Sequence, residues 1–326
     1  MNWSDLHSEG VIFGGAVSGG LDSCTVTHWL YKHGVDVKCF TVDLGQPDEE
    51  NLQFVADRMI SCGASDATII PGQESLAEAG LKVVQSQARY EGGYWNTTGI
   101  ARPVTVQAIL DEFERREIEI LFHGATGRGN DQVRFQLAAN MVNPNIKVYA
   151  PWRDQKFLEQ FPGRREMIKY CESEALPIRP AKESRYSTDA NFLGLTHEAG
   201  DLEDVTISPD FVEPGMGVWP WDASDVPEYV TVRWEAGIPV AVNDAPMPLT
   251  EIFVHCNQLA GRHGVGIGTH VVENRFVGIK SRGIYESPGM ELLGRSYEFL
   301  LQFVQGKSLD RRPLVMPKKH LLGLIF

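Results

Sequence analysis

An α/β fold, a doubly wound parallel sheet followed by a second, smaller α+β domain, is predicted by three features of this 326-residue sequence. Short apolar runs alternate with amphipathic helical stretches through the first half, the pattern of a parallel sheet covered by helices on both faces. A glycine-rich loop, GGAVSGGLDS (14–23), follows the first apolar run directly. After about residue 175 the alternation stops, and prolines stand at 177, 180, 209, 214, 220 and 227. A boundary is therefore expected there, with one domain over 1–175 and another over 176–326.

Residues 11–13 (VIF) read as a short buried strand, and LDSCTVTHWLYKH (21–33) as a helix that Gly34 ends. VDVKCFTVDLG (35–45) is the next strand, EENLQFVADRMISCGA (49–64) a helix stopped at Gly63, and DATIIPG (66–72) a third strand. A helix is expected over 74–89. After a loop rich in Gly, Tyr, Trp and Asn come a helix at 102–117, a strand at IEILFHG (118–124) and a helix at 131–142. IKVYAPW (146–152) closes the series. The stretch from 175 to 228 reads as irregular. VTVRWEAGIPVAV (230–242) is a strand pair turned at Ala236-Gly237, and 249–264 is a helix. VVENRFVGIKSRG (271–283) is one strand-like segment, and 287–306 is a final helix.

Composition weighs against several classes. A formal net charge of −13 speaks against a bare nucleic-acid surface, which needs a basic face to displace counterions. Cys24, Cys39, Cys62, Cys171 and Cys256 are scattered, odd in number and without a CxxC pair, which fits a reducing compartment. No apolar run reaches membrane-span length, and MNWSDLHSEG has no secretory pattern, so a cytoplasmic protein with no membrane partner is expected. His123, His197, His263 and His270 lack the spacing of a zinc site, and no protein-bound metal is expected.

The loop carries the chemistry. In a doubly wound sheet, ligands sit beyond the carboxyl ends of the strands, where residues 14–23 fall. Glycines let backbone N–H groups form an anion nest, and the helix start adds its positive end. The lysine of the common phosphate loop, which serves γ-phosphoryl transfer, is missing. A lysine-free SGGLDS suits a pyrophosphate that leaves intact after attack at the α-phosphorus.

Seven ordered strings sharpen this reading: AVSGGLDS, GQPDEEN, YWNTTGIARP, HGATGRGNDQVRF, APWR, YSTDANFLGLTHEAGDLED and VVENRFVGIKSRGIYESPG. The loop resembles the N-type ATP pyrophosphatase signature, and nearly the whole chain is similar to the argininosuccinate synthase family. The resemblance implies an adenine nucleotide alpha hydrolase-like nucleotide domain, a synthetase domain and an ATP-dependent C–N ligation. Citrulline's ureido oxygen would attack the α-phosphorus, and the aspartate amine would then displace AMP. ATP would be held by Ala16, Val17, Ser18, Gly19, Gly20, Leu21, Asp22, Ser23 and Cys24, with Val42, Gly124 and Thr126. Mg2+ would come with ATP, with Asp22 either positioning it or capping its own helix.

Aspartate would be seated by Thr126, Asn130 and Asp131. Donors from backbone and amide groups suit its carboxylates, and the Asp131 carboxylate can hold or deprotonate an ammonium. Arg134 would clamp citrulline's carboxylate, with Tyr94, Thr98, Asn130, Ser187, Thr196, Glu198, Glu273 and Tyr285 filling the remaining citrulline positions. The catalytic candidates are thus Asp131, Arg134 and Asp22.

The sequence departs from the family in three places. Cys24 stands where a hydroxyl residue is usual. In KESRYS (182–187) the lysine carried before the YS pair is displaced, with Lys182 and Arg185 as alternatives. The family continues past the final helix into a segment that joins a tetramer, whereas this sequence ends at HLLGLIF (320–326). A C-terminally shortened member is expected, forming a homodimer rather than the tetramer. Three functions stay open: argininosuccinate formation, ligation of a similar amine to another ureido compound in a specialised pathway, and ATP binding without turnover.

Overall fold

The apolar runs of the first half fold as strands β1 (Ile12–Ala16), β2 (Asp36–Asp43), β3 (Asp66–Pro71), β4 (Ile120–His123) and β5 (Lys147–Tyr149). They pair in parallel in the order β3-β2-β1-β4-β5. That is the doubly wound order, and its reversal falls between β1 and β4, where such sheets bind ligands. This computed structural model describes residues 3–304 apart from 7, 9, 48, 50, 92, 126–129, 179–184 and 275–277. Lys182, Thr126 and the terminal HLLGLIF therefore lie outside the described residues.

The chain divides into two units. The first comprises Met1–Asp43, Glu49–Gly72 and Arg102–Lys182, and the second Leu44–Asp48, Gln73–Ala101 and Glu183–Phe326. In chain order the helices are α1 (Trp3–Leu6), α2 (Leu21–Lys32), α3 (Leu52–Ser61), α4 (Gln73–Ser86), α5 (Thr97–Arg116), α6 (Asn130–Val142), α7 (Gln155–Gln160), α8 (Arg164–Ser173), α9 (Leu249–Gly261) and α10 (Pro288–Val304).

The glycine crowding of the opening loop has two separate causes. Gly14 and Gly15 lie inside β1, where an added Cβ would come within 2.1 Å of Phe113 and 2.2 Å of Phe122. Those two rings are at most 2% exposed, and burying each contributes about 1.5–3 kcal/mol. The first glycine pair therefore serves packing, and only Gly19 and Gly20 belong to the ligand loop. Around them Phe13, Trp29, Leu30, Met59, Tyr149 and Phe157 form the first unit's buried core.

Two helices, α7 and α8, follow β5 where the sequence reading expected the series to close. They are short and polar: α7 is started by Asp154, whose side chain accepts from Lys156 N–H, and α8 buries only Met167 and Cys171. Neither offers a long apolar period. Helix α5 also begins five residues before the expected Arg102, which leaves Pro103 inside it.

In the second unit, β6 (Ser187–Asn191) and β7 (Gly194–Glu198) form a hairpin within the stretch read as irregular. Its turn is built by Asn191, whose side chain accepts from Leu193 N–H at 3.0 Å, so no Asn-Gly or Asp-Gly signal marks it. Strands β8 (Val232–Glu235) and β9 (Ile238–Val242) turn at Ala236 (φ +49°) and Gly237 (φ +80°), as expected, and β10 (Ala245–Pro246) joins β9. The single strand expected at 271–283 is two antiparallel strands, β11 (Ile267–Asn274) and β12 (Ile279–Glu286). They complete a sheet in the order β11-β12-β7-β6. Fully buried Glu286 ties this sheet to the preceding loop: it accepts from Gly215 N–H, Met216 N–H and His197 Nε2, each at 2.8 Å.

Candidate active site

Two loops of the first unit leave β1 and β4, the adjacent strands at which the sheet order reverses. Ala16 lies directly opposite His123 in that pairing. The β1–α2 loop is fixed at its base, where Val17 N–H donates to the Phe40 carbonyl at 3.1 Å and Thr41 Oγ1 to the Val17 carbonyl at 3.0 Å. It closes on itself through Ser18 N–H donating to Ser23 Oγ at 3.2 Å. Gly19 has φ +71°, and Arg58 of α3 donates to its carbonyl at 2.6 Å. A side chain at Gly19 would meet Arg58 Nη1 at 2.8 Å and Val55 Cγ1 at 2.9 Å, so the position requires glycine on both counts. Gly20 precedes α2 with no capping side chain, which leaves the helix N-terminus open to an anion.

Cys24 is fully buried, its N–H donates to the Gly20 carbonyl at 3.0 Å, and its thiol to the Gly19 carbonyl at 3.7 Å. Both donors are thus directed at the loop itself. Asp22 is the second residue of α2 and accepts from the Trp152 indole at 3.1 Å, while Gly20 takes the cap position. Burial pushes the Asp22 carboxyl above its ordinary value, only partly offset by that indole and by Arg164. Gly124 passes close by, since a Cβ there would stand 3.1 Å from Asp22 Cβ. Val42 is buried near the end of β2.

The β4–α6 loop has the opposite character. Asp131, again the second residue of its helix, lies between two guanidiniums. Arg102 donates to its Oδ2 from Nε at 2.9 Å and from Nη2 at 2.8 Å, and Arg134 donates to Oδ1 at 2.9 Å. Burial opposes the Asp131 charge, but the two guanidiniums override it and hold the carboxyl down at about 2. Asp131 is therefore a permanent anion near neutral pH. It is a poor proton acceptor, and both its oxygens are engaged by the two guanidiniums. Asn130 starts the helix with its Oδ1 buried.

The second unit gathers Tyr94, Thr98, Thr196 and Tyr285. The Tyr94 and Tyr285 rings are 4.2 Å apart, and Thr98 N–H donates to Tyr94 Oη at 3.3 Å. Thr196 pairs across the sheet with Tyr285 on one side and Asp189 on the other. Ser187 and Glu198 are paired and exposed at the end of the β6–β7 hairpin. Glu273 lies in β11 opposite Lys280, and its side chain is outside the described residues. His270 packs edge-on against Tyr285 at 5.5 Å.

Sequence reasoning did not single out Arg58, Arg102 or Trp152, and it weighed His270 only as a zinc ligand. Arg102 and Trp152 stand inside two of the seven strings, so position was a signal, but nothing in the sequence indicates that they reach Asp131 and Asp22. Among the described residues no group of three or more His, Cys, Asp or Glu is arranged to hold a metal, and no helix is long and apolar enough to cross a membrane.

Comparison with known proteins matches most of the chain. The family described as arginosuccinate synthase N-terminal HUP domain matches residues 12–177, and that described as arginosuccinate synthase C-terminal domain matches residues 186–318. An argininosuccinate synthase from Rhodopirellula baltica is 42% identical over 298 residues, which cover 91% of this chain and 72% of that protein. Among solved structures, one described as a predicted subunit of tRNA methyltransferase from Methanocaldococcus jannaschii has a TM-score of 0.35 at 15% identity. It covers 50% of this chain and 76% of that one, a likeness too slight to bear on function.

Proposed function

The chain belongs to the argininosuccinate synthase family, a family of ATP-using ligases, and from that premise we propose that it joins L-aspartate to L-citrulline. The products are argininosuccinate, AMP and pyrophosphate. The ureido oxygen of citrulline attacks the α-phosphorus, the bond from that phosphorus to the bridging oxygen breaks, and pyrophosphate leaves. The aspartate nitrogen then attacks the ureido carbon, the C–O bond to AMP breaks, and the nitrogen releases its surplus protons.

On this reading the Ala16–Cys24 loop, Val42 and Gly124 serve ATP. Thr126, Asn130 and Asp131 serve aspartate, with Asp131 near its amine. Arg134, with Tyr94, Thr98, Asn130, Ser187, Thr196, Glu198, Glu273 and Tyr285, serves citrulline. The loop donors suit phosphate, and Mg2+ would arrive on the phosphates. A divalent cation beside Asp22 would favour the ionised form that burial disfavours, so this carboxylate fits the metal chemically. The reaction is read as part of cytoplasmic arginine synthesis.

The observation that carries the proposal is the pairing, at one sheet reversal, of a lysine-free glycine loop with a carboxylate held ionised between two guanidiniums. Its test is pyrophosphate release from Mg-ATP with aspartate and a panel of ureido and carbonyl acceptors. Release is expected to require aspartate and to be fastest with citrulline. A faster reaction with another ureido compound would assign the chain to a specialised pathway, and no release with any acceptor would leave an ATP-binding protein.

A further inference from the structure

Around the β4–α6 loop, His123 Nε2, Asn130 Oδ1 and Gln132 Oε1 are buried with no hydrogen-bond partner among the described residues. Folded proteins rarely leave such atoms unpaired without a reason. His123 is the sharpest case, because its protonation follows from its neighbours. Ala125 N–H donates to His123 Nδ1 at 3.2 Å, so in the neutral ring the proton sits on Nε2. Burial lowers the imidazole to about 4 against a weaker opposing pull from Asp131, so the ring is neutral. It is stacked on Phe135 at 4.8 Å and 15°, which fixes its plane. The result is an N–H donor, 1% exposed, held by the stack and without an acceptor among the described residues.

The direction of the ring separates it from the phosphate loop. Successive residues at a strand end point to opposite sides. Gly124 faces Asp22 at the start of α2, whereas His123 packs on Phe135 of α6 and feels the Asp131 charge. His123 thus belongs with the α6 residues. Among the described residues, an unpaired donor at the end of β4 and unpaired acceptors in the first turn of α6 match a ligand that carries both a carboxylate and an ammonium.

We propose that His123 is a substrate-binding residue whose Nε2–H donates to a carboxylate oxygen of the amino acid that supplies the nucleophilic amine. The proposal rests on the reading above only in naming that amino acid as aspartate. His123→Phe keeps the aromatic stack and removes both nitrogens. A lost hydrogen bond to a charged group should raise KM for aspartate about 10- to 100-fold, with KM for ATP and citrulline nearly unchanged and little loss of Tm. His123→Gln, which returns an N–H donor, should recover part of the affinity. An unchanged aspartate KM in His123→Phe would overturn the proposal, as would a fall in Tm with all three KM values rising together.

Spectra of the full chain labelled with 15N-histidine separate the two readings. Aspartate shifting the His123 Nε2 resonance supports the contact even without turnover. Another amino acid shifting it while aspartate does not would keep the site and overturn the substrate assignment. No shift with any amino acid would overturn the contact itself.

Discussion

Asp22 and Asp131 occupy the same place in two neighbouring parts of one sheet. Each is the second residue of a helix that follows a strand, and the two strands, β1 and β4, are paired. Both helix N-termini favour an anion. Yet burial raises the Asp22 carboxyl, whose side-chain partner is the neutral indole of Trp152, while Arg102 and Arg134 hold Asp131 at about 2 in spite of burial. Backbone position is shared, and the side-chain surroundings decide the charge. Burial thereby disfavours the charge on one carboxyl, while the other stays ionised with both its oxygens engaged by guanidiniums.

The largest effect should come from breaking the charged loop. Arg134→Ala removes one guanidinium from Asp131 and, on the proposed reading, the carboxylate clamp for citrulline. It should cost about 2–5 kcal/mol in kcat/KM, the range for breaking a desolvated charge pair. The loss should appear in the citrulline titration and spare ATP, and an unchanged KM for citrulline would take Arg134 out of the site.

Asp131→Asn leaves both guanidiniums without their carboxylate. With the Asp131 side chain 28% exposed, a stability loss of about 2–3 kcal/mol is expected, below the full range for a buried pair. Denaturant titration measures it. Sign and window follow from the depressed value: stability from this group is present above the ordinary carboxylate range near 3.8 and is lost as pH falls towards 2. An equal stability for the variant and the parent at pH 7 would show the two ion pairs to be without net effect.

Gly19→Ala tests the uncharged loop. Forcing the left-handed backbone on alanine costs about 1–2 kcal/mol, and the new methyl also displaces Arg58 or Val55. KM for ATP should rise about 5- to 30-fold, which is that cost expressed as affinity, with KM for aspartate unaltered. A rise in both would mean that the two loops act as one body.

The smallest effect, and the one of opposite sign, is expected for Asp22→Asn. Burial disfavours the charged form, so its cost is fully present above the raised folded value and is lifted as pH falls through it. The amide should therefore raise Tm at pH 7, with the gain vanishing in acid. A lower Tm at pH 7 would mean that ionised Asp22 is stabilising, contrary to the contrast drawn with Asp131.

The contrast also marks what the sequence could convey. Strand-helix alternation and the lysine-free loop were readable because both are local: a buried run, a glycine with φ +71°, a helix start. The same local reading grouped all four loop glycines together, although Gly14 and Gly15 answer to Phe113 and Phe122, which come about a hundred residues later. Asp131 was readable as a charge near an amine, but its two guanidiniums come from Arg134 one turn away and Arg102 on α5, and only folding joins the latter to it. The β6–β7 hairpin escaped for a different reason, since Asn191 makes its turn with a side chain rather than with a glycine dipeptide. Helix α7 escaped because it has only six residues, and α8 because it is strongly polar and buries just Met167 and Cys171.

The central claim is that the lysine-free loop directs attack to the α-phosphorus before the amine reacts. It is tested most directly by incubating the protein with Mg-ATP labelled with 18O at the bridging oxygen between the α- and β-phosphates, with citrulline present and aspartate omitted. Reversible adenylation should move the label from the bridge to non-bridging positions of the β-phosphate. Adding aspartate should then release AMP and pyrophosphate in equal amounts. Formation of ADP and inorganic phosphate under the same conditions would contradict the account.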